Sequence, residues 1–270
     1  MSGEYKQHYN EFKQNPAAFW LSQSKRLPWY QAPETAYTQD ENGLYHWFAD
    51  GQLNSCFLAV DQHVIAGHGD ETALIYDSPV TNTARSYSYF ELQQEVAKFA
   101  GVMQSLGVTK GDRVVIYMPM IPEAVIGMLA CARIGAIHSV VFGGFAAHEL
   151  AVRIDDAKPK LVLSASCGVE VNTVIEYKEL LDNALESASY KVENCIIYQR
   201  EQVTAPLMPE RDIDWAVAMQ TATGVDPVPV SGDHPLYILY TSGTTGTPKG
   251  VVRENGGHAV AMHYSMETVY

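Results

Sequence analysis

The sequence is short of basic residues and of paired cysteines. Its 18 Lys and Arg stand against 31 Asp and Glu, which gives a formal net charge of −13 over 270 residues. A surface of that charge repels nucleic acids and anionic membranes, so we expect neither as a partner. The four cysteines show no Cys-x-x-Cys spacing and no neighbouring histidine pair. That pattern argues against a metal site and favours reduced, buried thiols in a cytoplasmic protein.

Long apolar runs are also missing. The apolar stretches are interrupted by charges or glycines before they reach the length of a membrane span. Residues 1–16 are polar and hold no apolar segment of the kind that a signal peptide needs. No Gly-x-Gly-x-x-Gly opens a helix after the early strands, which excludes a Rossmann dinucleotide site. With 47% apolar and 18% charged residues, the composition is that of a globular domain.

Segments with strand patterns alternate with segments with helix patterns from about residue 72 onward. This alternation predicts an α/β fold with a parallel sheet flanked by helices. Residues 1–62 are rich in aromatic residues and lack clean periodicity, so we expect them to form an arm, anchored by Trp20, Trp29 and Trp47, on a main domain of residues 63–270. The strands are expected at 73–76, 113–117, 137–142, 161–164 and 195–198, and the helices at 88–106, 122–135, 148–155 and 177–185.

Two stretches towards the end of the chain carry further expectations. Residues 201–233 contain four prolines and are expected to form a long surface excursion. Residues 257–270 have a helical pattern without a C-terminal capping signal. We therefore expect the chain to be the N-terminal part of a longer protein, with a fold that is incomplete at its C-terminus.

The most informative segment is residues 237–250, YILYTSGTTGTPKG, in which an apolar strand leads into a loop of hydroxyls and glycines. The loop residues Thr241, Ser242, Gly243, Thr244, Thr245 and Gly246 offer hydroxyl donors and backbone N–H groups that can approach phosphate oxygens closely. Lys249 adds a cation, and Pro248 fixes the backbone before it. An ordinary Ser/Thr/Gly turn is the alternative. The density of donors favours a polyphosphate loop.

This loop differs from the Walker A phosphate loop, which runs from Gly-Lys-Ser/Thr into a helix. Here Lys249 is followed by Gly250, Val251 and Val252, so the sequence predicts a second strand after the loop.

The segment 241–250, TSGTTGTPKG, resembles the characteristic motif of the AMP-forming acyl-adenylating superfamily. Residues 117–124 (YMPMIPEA), 129–138 (LACARIGAIH) and 142–145 (FGGF) resemble its short-chain acetyl-/propionyl-CoA synthetase branch. The aromatic N-terminal arm resembles the same branch, and residues 249–260 (KGVVRENGGHAV) look most like propionate–CoA ligases.

The resemblance implies a ligase that activates a short-chain carboxylate with ATP to an acyl-adenylate and passes the acyl group to CoA. By that resemblance the loop from Thr241 to Gly246 holds the ATP phosphates, Lys249 is the catalytic cation, and Mg²⁺ bridges phosphate oxygens. The same resemblance places the magnesium-binding carboxylate, the acyl pocket and a catalytic lysine after Tyr270. We therefore expect the isolated chain to be inactive. A different acceptor for the adenylate, or a non-catalytic truncated relative, remains as an alternative.

For CoA, the resemblance implicates Gly143 and Gly144. A tight turn after a strand explains the two glycines equally well, and Gly144 is the better candidate for CoA. Relatives often carry an Arg-Gly-Gly stretch shortly afterwards that contacts a CoA phosphate, whereas residues 166–174 here (SCGVEVNTV) hold no arginine.

Several other polar residues are expected to have structural roles. We expect His138 to be packed or hydrogen-bonded in a strand, and His258 and His263 to have a surface or core role. Arg133 and Arg153 are expected to be helix-terminal or salt-bridging cations. Cys167 has no activating base nearby in sequence and is rejected as a nucleophile.

Overall fold

The computed structural model describes residues 3–144, 146–171, 173–241 and 248–269, and its centre is a seven-stranded sheet. The helices are α1 (Gly3–Gln14), α2 (Pro16–Ser24), α3 (Tyr89–Ser105), α4 (Pro122–Ile134), α5 (Ala147–Ala157), α6 (Tyr177–Ser187), α7 (Trp215–Gln220) and α8 (Asn255–Thr268). Two short π-helical segments, Phe57–Asp61 and Val64–His68, lie between residues 53 and 72 of the chain.

The strands are β1 (Tyr37–Gln39), β2 (Tyr45–Trp47), β3 (Gln52–Leu53), β4 (Thr72–Ser78), β5 (Thr83–Ser88), β6 (Arg113–Tyr117), β7 (Ile137–Val140), β8 (Leu161–Ala165), β9 (Gly168–Glu170), β10 (Thr173–Ile175), β11 (Asn194–Tyr198), β12 (Asp212–Asp214), β13 (Val230–Ser231), β14 (Pro235–Thr241) and β15 (Lys249–Glu254). The order in the central sheet is β12-β11-β8-β6-β7-β14-β15. All neighbours run parallel except β14 and β15. The predicted α/β class is confirmed.

Helices cover both faces of this sheet. Val114 and Ile116 of β6 pack in the core that contains α3 and α4, whereas the alternate residues Val115 and Tyr117 pack in the core that contains α5 and α6. All four side chains are fully buried. Burial on both faces is why β6 reads as a continuous apolar run, since alternate side chains of a strand point to opposite faces.

The signals at the helix ends act as the sequence indicated. The Ser88 hydroxyl accepts the backbone N–H of Glu91 at 3.1 Å, and the Glu91 carboxylate accepts the N–H of Ser88 at 2.8 Å, so a capping box opens α3. Pro122 occupies the first turn of α4, and Gly135 ends that helix with a φ of 72°. The predicted bounds of α3 and α4 are confirmed.

Residues 1–62 contact the rest of the chain through aromatic rings and a buried ion pair. The Trp20 ring lies 5.5 Å from Tyr264 of α8 and 6.2 Å from Trp47. Arg133, at the end of α4, donates to Asp61 at 2.8 Å, with side-chain exposures of 3% and 5%. Arg133 therefore forms a salt bridge, as the sequence led us to expect.

The structure corrects the prediction for residues 201–233. Instead of a surface excursion, this stretch contributes β12, which pairs in parallel with β11 at the edge of the sheet. It also contributes α7, whose Trp215 is 5% exposed and stacks on Phe99 with ring centroids 3.8 Å apart. Burial of the indole against α3 therefore ties this stretch to the core through Trp215, while most of its other residues stay exposed or half-buried.

Two strand predictions also need correction. β7 ends at Val140 rather than at residue 142, and Phe142 is 69% exposed. In β14, which the sequence indicated as a buried strand, Leu236 is buried but Leu239 is 48% exposed. The ladder between β14 and β7 consists of the single pair Tyr237–His138, whereas β14 pairs with β15 from Pro235 to Thr241. The second half of β14 is therefore less enclosed.

Candidate functional site: the carboxyl edge of the sheet

The two ends of the predicted phosphate loop meet in an antiparallel pair. Thr241 ends β14, Lys249 begins β15, and the two residues are opposite each other in the ladder. The Thr241 hydroxyl donates to the Lys249 carbonyl oxygen at 3.5 Å. Both residues are exposed. The predicted loop residues Ser242, Gly243, Thr244, Thr245 and Gly246 lie outside the described residues.

A strand follows Lys249, as the sequence predicted. The strand–loop–strand arrangement excludes a Walker A geometry, in which the lysine would open a helix.

The predicted CoA turn lies at the same edge of the sheet as the phosphate loop. β7 and β14 are parallel neighbours with Tyr237 opposite His138. Their carboxyl ends therefore lead side by side into Thr241 and into the turn at Gly143 and Gly144. In open α/β sheets this carboxyl edge is where ligands bind. The structure thus brings together two segments that are about a hundred residues apart in sequence.

The residue that faces Gly143 explains why position 143 is a glycine. A Cβ at Gly143 would overlap the hydroxyl of Tyr177, which is 4% exposed at the start of α6. The Tyr177 ring packs 5.0 Å from that of Tyr117, whose hydroxyl donates to the Gly143 carbonyl oxygen at 3.4 Å. Burial is the main cause, and the nearby Tyr177 a smaller one, that raises the pKa of Tyr117 to about 12. The phenol of Tyr117 therefore stays neutral and can donate a hydrogen bond.

Gly144 is less constrained than Gly143. A Cβ at Gly144 would come within 2.6 Å of the Phe142 ring, which is 69% exposed, whereas the Tyr177 side chain that faces Gly143 is buried. The turn therefore requires a glycine at 143 for packing, whereas Gly144 is the position at which a ligand could approach the backbone closely.

Residues 166–174 carry no arginine, but Arg200, which follows the neighbouring strand β11, contacts this segment. Arg200, two residues after β11, donates its backbone N–H to the Ser166 hydroxyl at 2.8 Å. Its Nη1 donates to the Cys167 carbonyl oxygen at 3.3 Å. Sequence reasoning missed Arg200 because it lies some thirty residues from the loop it contacts. The signal that could have found it was an arginine directly after a buried apolar strand.

A cavity of about 200 Å³ opens beside Arg200, between the β4–β5 hairpin, the start of α4 and the residues after β11. Its charged lining includes Arg85, Arg200 and Glu123. Glu123 is 8% exposed, and burial raises the pKa of its carboxyl even though the Tyr198 hydroxyl donates to it.

A second, larger cavity of about 860 Å³ lies between the arm, β15 and α8. Trp20, Trp47 and Tyr237 supply aromatic walls. Glu254 accepts the Trp47 backbone N–H at 3.1 Å, and burial raises the pKa of its carboxyl. Burial and the nearby Arg253 lower the pKa of His258, which also lines this cavity. Trp20, which packs against Tyr264 of α8, and Trp47 therefore also shape this cavity.

The histidines and cysteines for which the sequence predicts no catalytic role are packed, ion-paired or buried. The His138 ring packs 5.6 Å from Tyr237, and burial together with His258 lowers its pKa to about 4, so it is neutral at pH 7. His263 lies 3.7 Å from Glu267 on α8. The four cysteines are buried and free. Within the described ranges, no three His, Cys, Asp or Glu side chains form a group that could hold a metal ion.

Comparison with known proteins agrees with this geometry. The family model for AMP-binding enzymes matches residues 61–270, and the model for the acetyl-coenzyme A synthetase N-terminus matches residues 5–59. The chain belongs to the AMP-binding enzyme family. The resemblance inferred from the loop and the arm is thereby confirmed.

Relatives of this AMP-binding enzyme chain include proteins from bacteria and animals. An uncharacterized protein of Pseudomonas aeruginosa is 56% identical over 98% of the chain and 42% of its own length. The human mitochondrial acyl-CoA synthetase short-chain family member 3 is 49% identical over 99% of the chain and 39% of its own length. The Escherichia coli propionate–CoA ligase is 42% identical over 98% of the chain and 42% of its own length. The chain thus spans about 40% of these relatives and corresponds to their N-terminal part.

No helix within the described ranges is long and apolar enough to cross a membrane.

Proposed function

We propose that the protein carrying this chain activates a short-chain carboxylate with ATP and transfers the acyl group to CoA. The observation that carries the proposal is the position of the phosphate loop. Its two ends, Thr241 and Lys249, are paired at the carboxyl edge of the sheet, beside the Gly143–Gly144 turn. A donor-rich loop and a turn with an accessible backbone at one edge suit two phosphorylated substrates.

In the proposed adenylation step, a carboxylate oxygen attacks the α-phosphorus of ATP and pyrophosphate leaves. The loop from Thr241 to Gly246 would hold the β- and γ-phosphates, and Lys249 would neutralise charge that accumulates on the leaving pyrophosphate. In the second step the CoA thiolate attacks the acyl carbonyl and AMP leaves, with the CoA chain approaching over Gly144. The described residues contain no cluster suited to Mg²⁺, so we assign none of them to it.

Propionate is the substrate that we propose first, and acetate second. The support is the run of residues 249–260, together with the printed name of the E. coli relative. We also propose that residues 1–62 form the arm and 63–270 most of an adenylation domain, and that the 270 residues alone do not turn over. Orientation of reactants contributes on the order of 7–11 kcal/mol to such catalysis, and a single phosphate loop supplies little of it.

A cytoplasmic location is our further proposal, supported by four free, buried thiols. The name of the human relative makes mitochondria the alternative. Fractionation of the source cells with compartment markers distinguishes the two.

Substitution of Lys249 tests the proposed role of the phosphate loop. Lys249→Ala should slow adenylation about 10- to 150-fold, the equivalent of about 1.5–3 kcal/mol for a hydrogen bond to a charged group. The thioester step, measured from preformed acyl-adenylate and CoA, should change much less because pyrophosphate has already left. Arg253→Ala, which removes another exposed cation from β15, is the matched control. Equal losses in both steps would contradict the assignment.

A further inference from the structure

The end of β14, where the phosphate loop begins, receives little support from the sheet itself. Its ladder with β7 is the pair Tyr237–His138, so the described residues of β14 beyond Tyr237 pair with β15 alone. In the described part of the chain, β15 is in turn the edge strand of the sheet. Strands at an edge open more readily than those at the centre of a sheet. The position of Thr241 therefore depends on side-chain contacts as well as on the ladder.

Tyr240, the residue before Thr241, joins this end of β14 to helix α5. Its hydroxyl donates to the Asp156 carboxylate at 2.6 Å, the length of a charge-assisted O–H···O bond. The Arg153 guanidinium lies 5.5 Å from the centre of the Tyr240 ring, and Arg153 is itself paired with Glu149 at 2.8 Å. Two contacts with one helix therefore hold the Tyr240 side chain.

Both partners of the hydrogen bond suit a lasting contact. Helix α5 is fixed in the core by its buried residues Leu150, Ala151 and Ile154, so Asp156 is carried by a well-packed element. Burial, and then the hydrogen bond to Asp156, raise the pKa of Tyr240. The Tyr240 hydroxyl therefore keeps its proton at neutral pH and remains a donor.

The ring of Tyr240 also contacts the far end of the loop. Tyr240 lies opposite Gly250 in the ladder between β14 and β15. A Cβ at Gly250 would come within 3.3 Å of the Tyr240 ring and 3.1 Å of the Ile238 side chain, so the ring lies over the glycine. Gly250 directly follows Lys249. One side chain thus adjoins Thr241 in sequence and packs beside Lys249 across the ladder.

We propose that Tyr240 and Asp156 are positioning residues for adenylation, which hold both ends of the phosphate loop against α5. The inference rests on the proposed function, since it assigns the two residues a role in the same reaction. Neither residue touches the substrate in this account, and both act through Thr241 and Lys249. Donors stabilise a transition state only when they are held within about 0.5 Å of the productive geometry. A loop whose ends move loses part of that effect.

The activity test uses the full gene product that contains these residues and measures propionate-dependent exchange of pyrophosphate into ATP. Tyr240→Phe and Asp156→Ala should each slow exchange about 2- to 10-fold, the range for one hydrogen bond to a carboxylate that is itself exposed to water. Asp156→Asn should lose less than Asp156→Ala, because its amide oxygen accepts the same bond. The double variant Tyr240→Phe/Asp156→Ala should be no slower than the slower single variant.

The thioester step, measured from preformed acyl-adenylate and CoA, separates positioning from a general loss of structure. It should stay at the wild-type rate in every variant, because pyrophosphate has already left. Tyr9→Phe is the matched control, since Tyr9 is an exposed tyrosine of α1 with the Lys13 ammonium 5.6 Å from its ring. It should leave both steps unchanged. Thermal unfolding of each variant shows whether it is folded.

Backbone hydrogen exchange, followed by mass spectrometry, tests the anchor without any catalysis. Tyr240→Phe should speed exchange about 2- to 10-fold in residues 237–241 and 249–254, and should leave the central strand β6 unchanged. Tyr9→Phe should alter neither region.

The outcomes distinguish this inference from the proposed function. A wild-type product that exchanges pyrophosphate, with Tyr240→Phe and Asp156→Ala equally fast, would overturn the positioning role and leave the proposed function standing. Equal losses in the adenylation and thioester steps would also overturn it, as would unchanged hydrogen exchange in both strands. A wild-type product that exchanges no pyrophosphate with any carboxylate would contradict the proposed function itself, and with it this role.

Discussion

Replacing Arg133 by methionine should destabilise the protein strongly while nearly preserving the volume of the side chain. The Arg133 and Asp61 side chains are 3% and 5% exposed, and their 2.8 Å contact joins the end of α4 to the π-helical segment Phe57–Asp61. The Arg133 Nε also donates to the Val225 carbonyl oxygen at 2.6 Å. The methionine variant leaves Asp61 buried with Gln93, a neutral donor at 2.8 Å, in place of a cation.

Removing one partner of a buried ion pair costs about 3–5 kcal/mol, because the remaining charge has lost its counter-charge. For a chain of this size each kilocalorie lowers the melting temperature by about 2–4 °C, so the expected decrease is about 6–20 °C. Urea unfolding followed by circular dichroism gives the free energy directly.

A double-mutant cycle tests whether the pair is the cause. Asp61→Asn combined with Arg133→Met should cost clearly less than the sum of the two single losses, since no unpaired charge remains. Lys160→Met, at an exposed pair with Glu193, is the control and should leave the unfolding midpoint unchanged. A loss below about 1 kcal/mol for Arg133→Met would refute the reasoning, since that is the range of exposed pairs.

Three further predictions follow from the described contacts. Burial alone would raise the pKa of Asp212, but hydrogen bonds, chiefly from Arg211, lower it below 3.8. The ionised Asp212 therefore stabilises the folded state above about pH 4, and this stabilisation is lost as the pH falls through the lowered pKa. The destabilisation by Asp212→Asn, measured by urea unfolding, should therefore be large at pH 7 and shrink at pH 3. Trp215→Ala should lower the free energy of unfolding by about 3–5 kcal/mol, because the indole is buried. If residues 201–233 were a surface excursion, the same substitution would change the free energy of unfolding very little. Gly143→Ala should lower the melting temperature more than Gly144→Ala, because its Cβ would overlap the Tyr177 hydroxyl. The double variant Gly143→Ala/Tyr177→Ala should lose less stability than the sum of the two single variants, since that overlap is then absent.

The elements that local signals define could be predicted from the sequence. β6 is an unbroken apolar run, and α4 is enclosed by Pro122 and Gly135, so their positions follow from strand burial and helix capping. β12 could not be predicted because its sequence is Asp-Ile-Asp, which reads as exposed. Its Asp212 is buried only because Lys178 and Arg211 surround it, with contacts of 2.9 Å and 2.7 Å.

The same distinction holds at the site. The phosphate loop is contiguous, so residue types alone identified Thr241 and Lys249 as its two ends. The constraint on Gly143 comes from Tyr177, and the cation beside Cys167 comes from Arg200. Both partners lie some thirty residues away and reach the site through the order of the strands, which a single sequence does not display.

Carboxylate-dependent exchange of pyrophosphate into ATP is the most direct test of the central claim, that this edge of the sheet serves acyl adenylation. It should be run with acetate, propionate and butyrate on the full gene product that contains these residues, and on residues 1–270 alone. The account predicts exchange with the full product, fastest with propionate, and none with residues 1–270. No exchange with any of the three acids would contradict the claim, and exchange by residues 1–270 alone would show that a complete adenylation site lies within them.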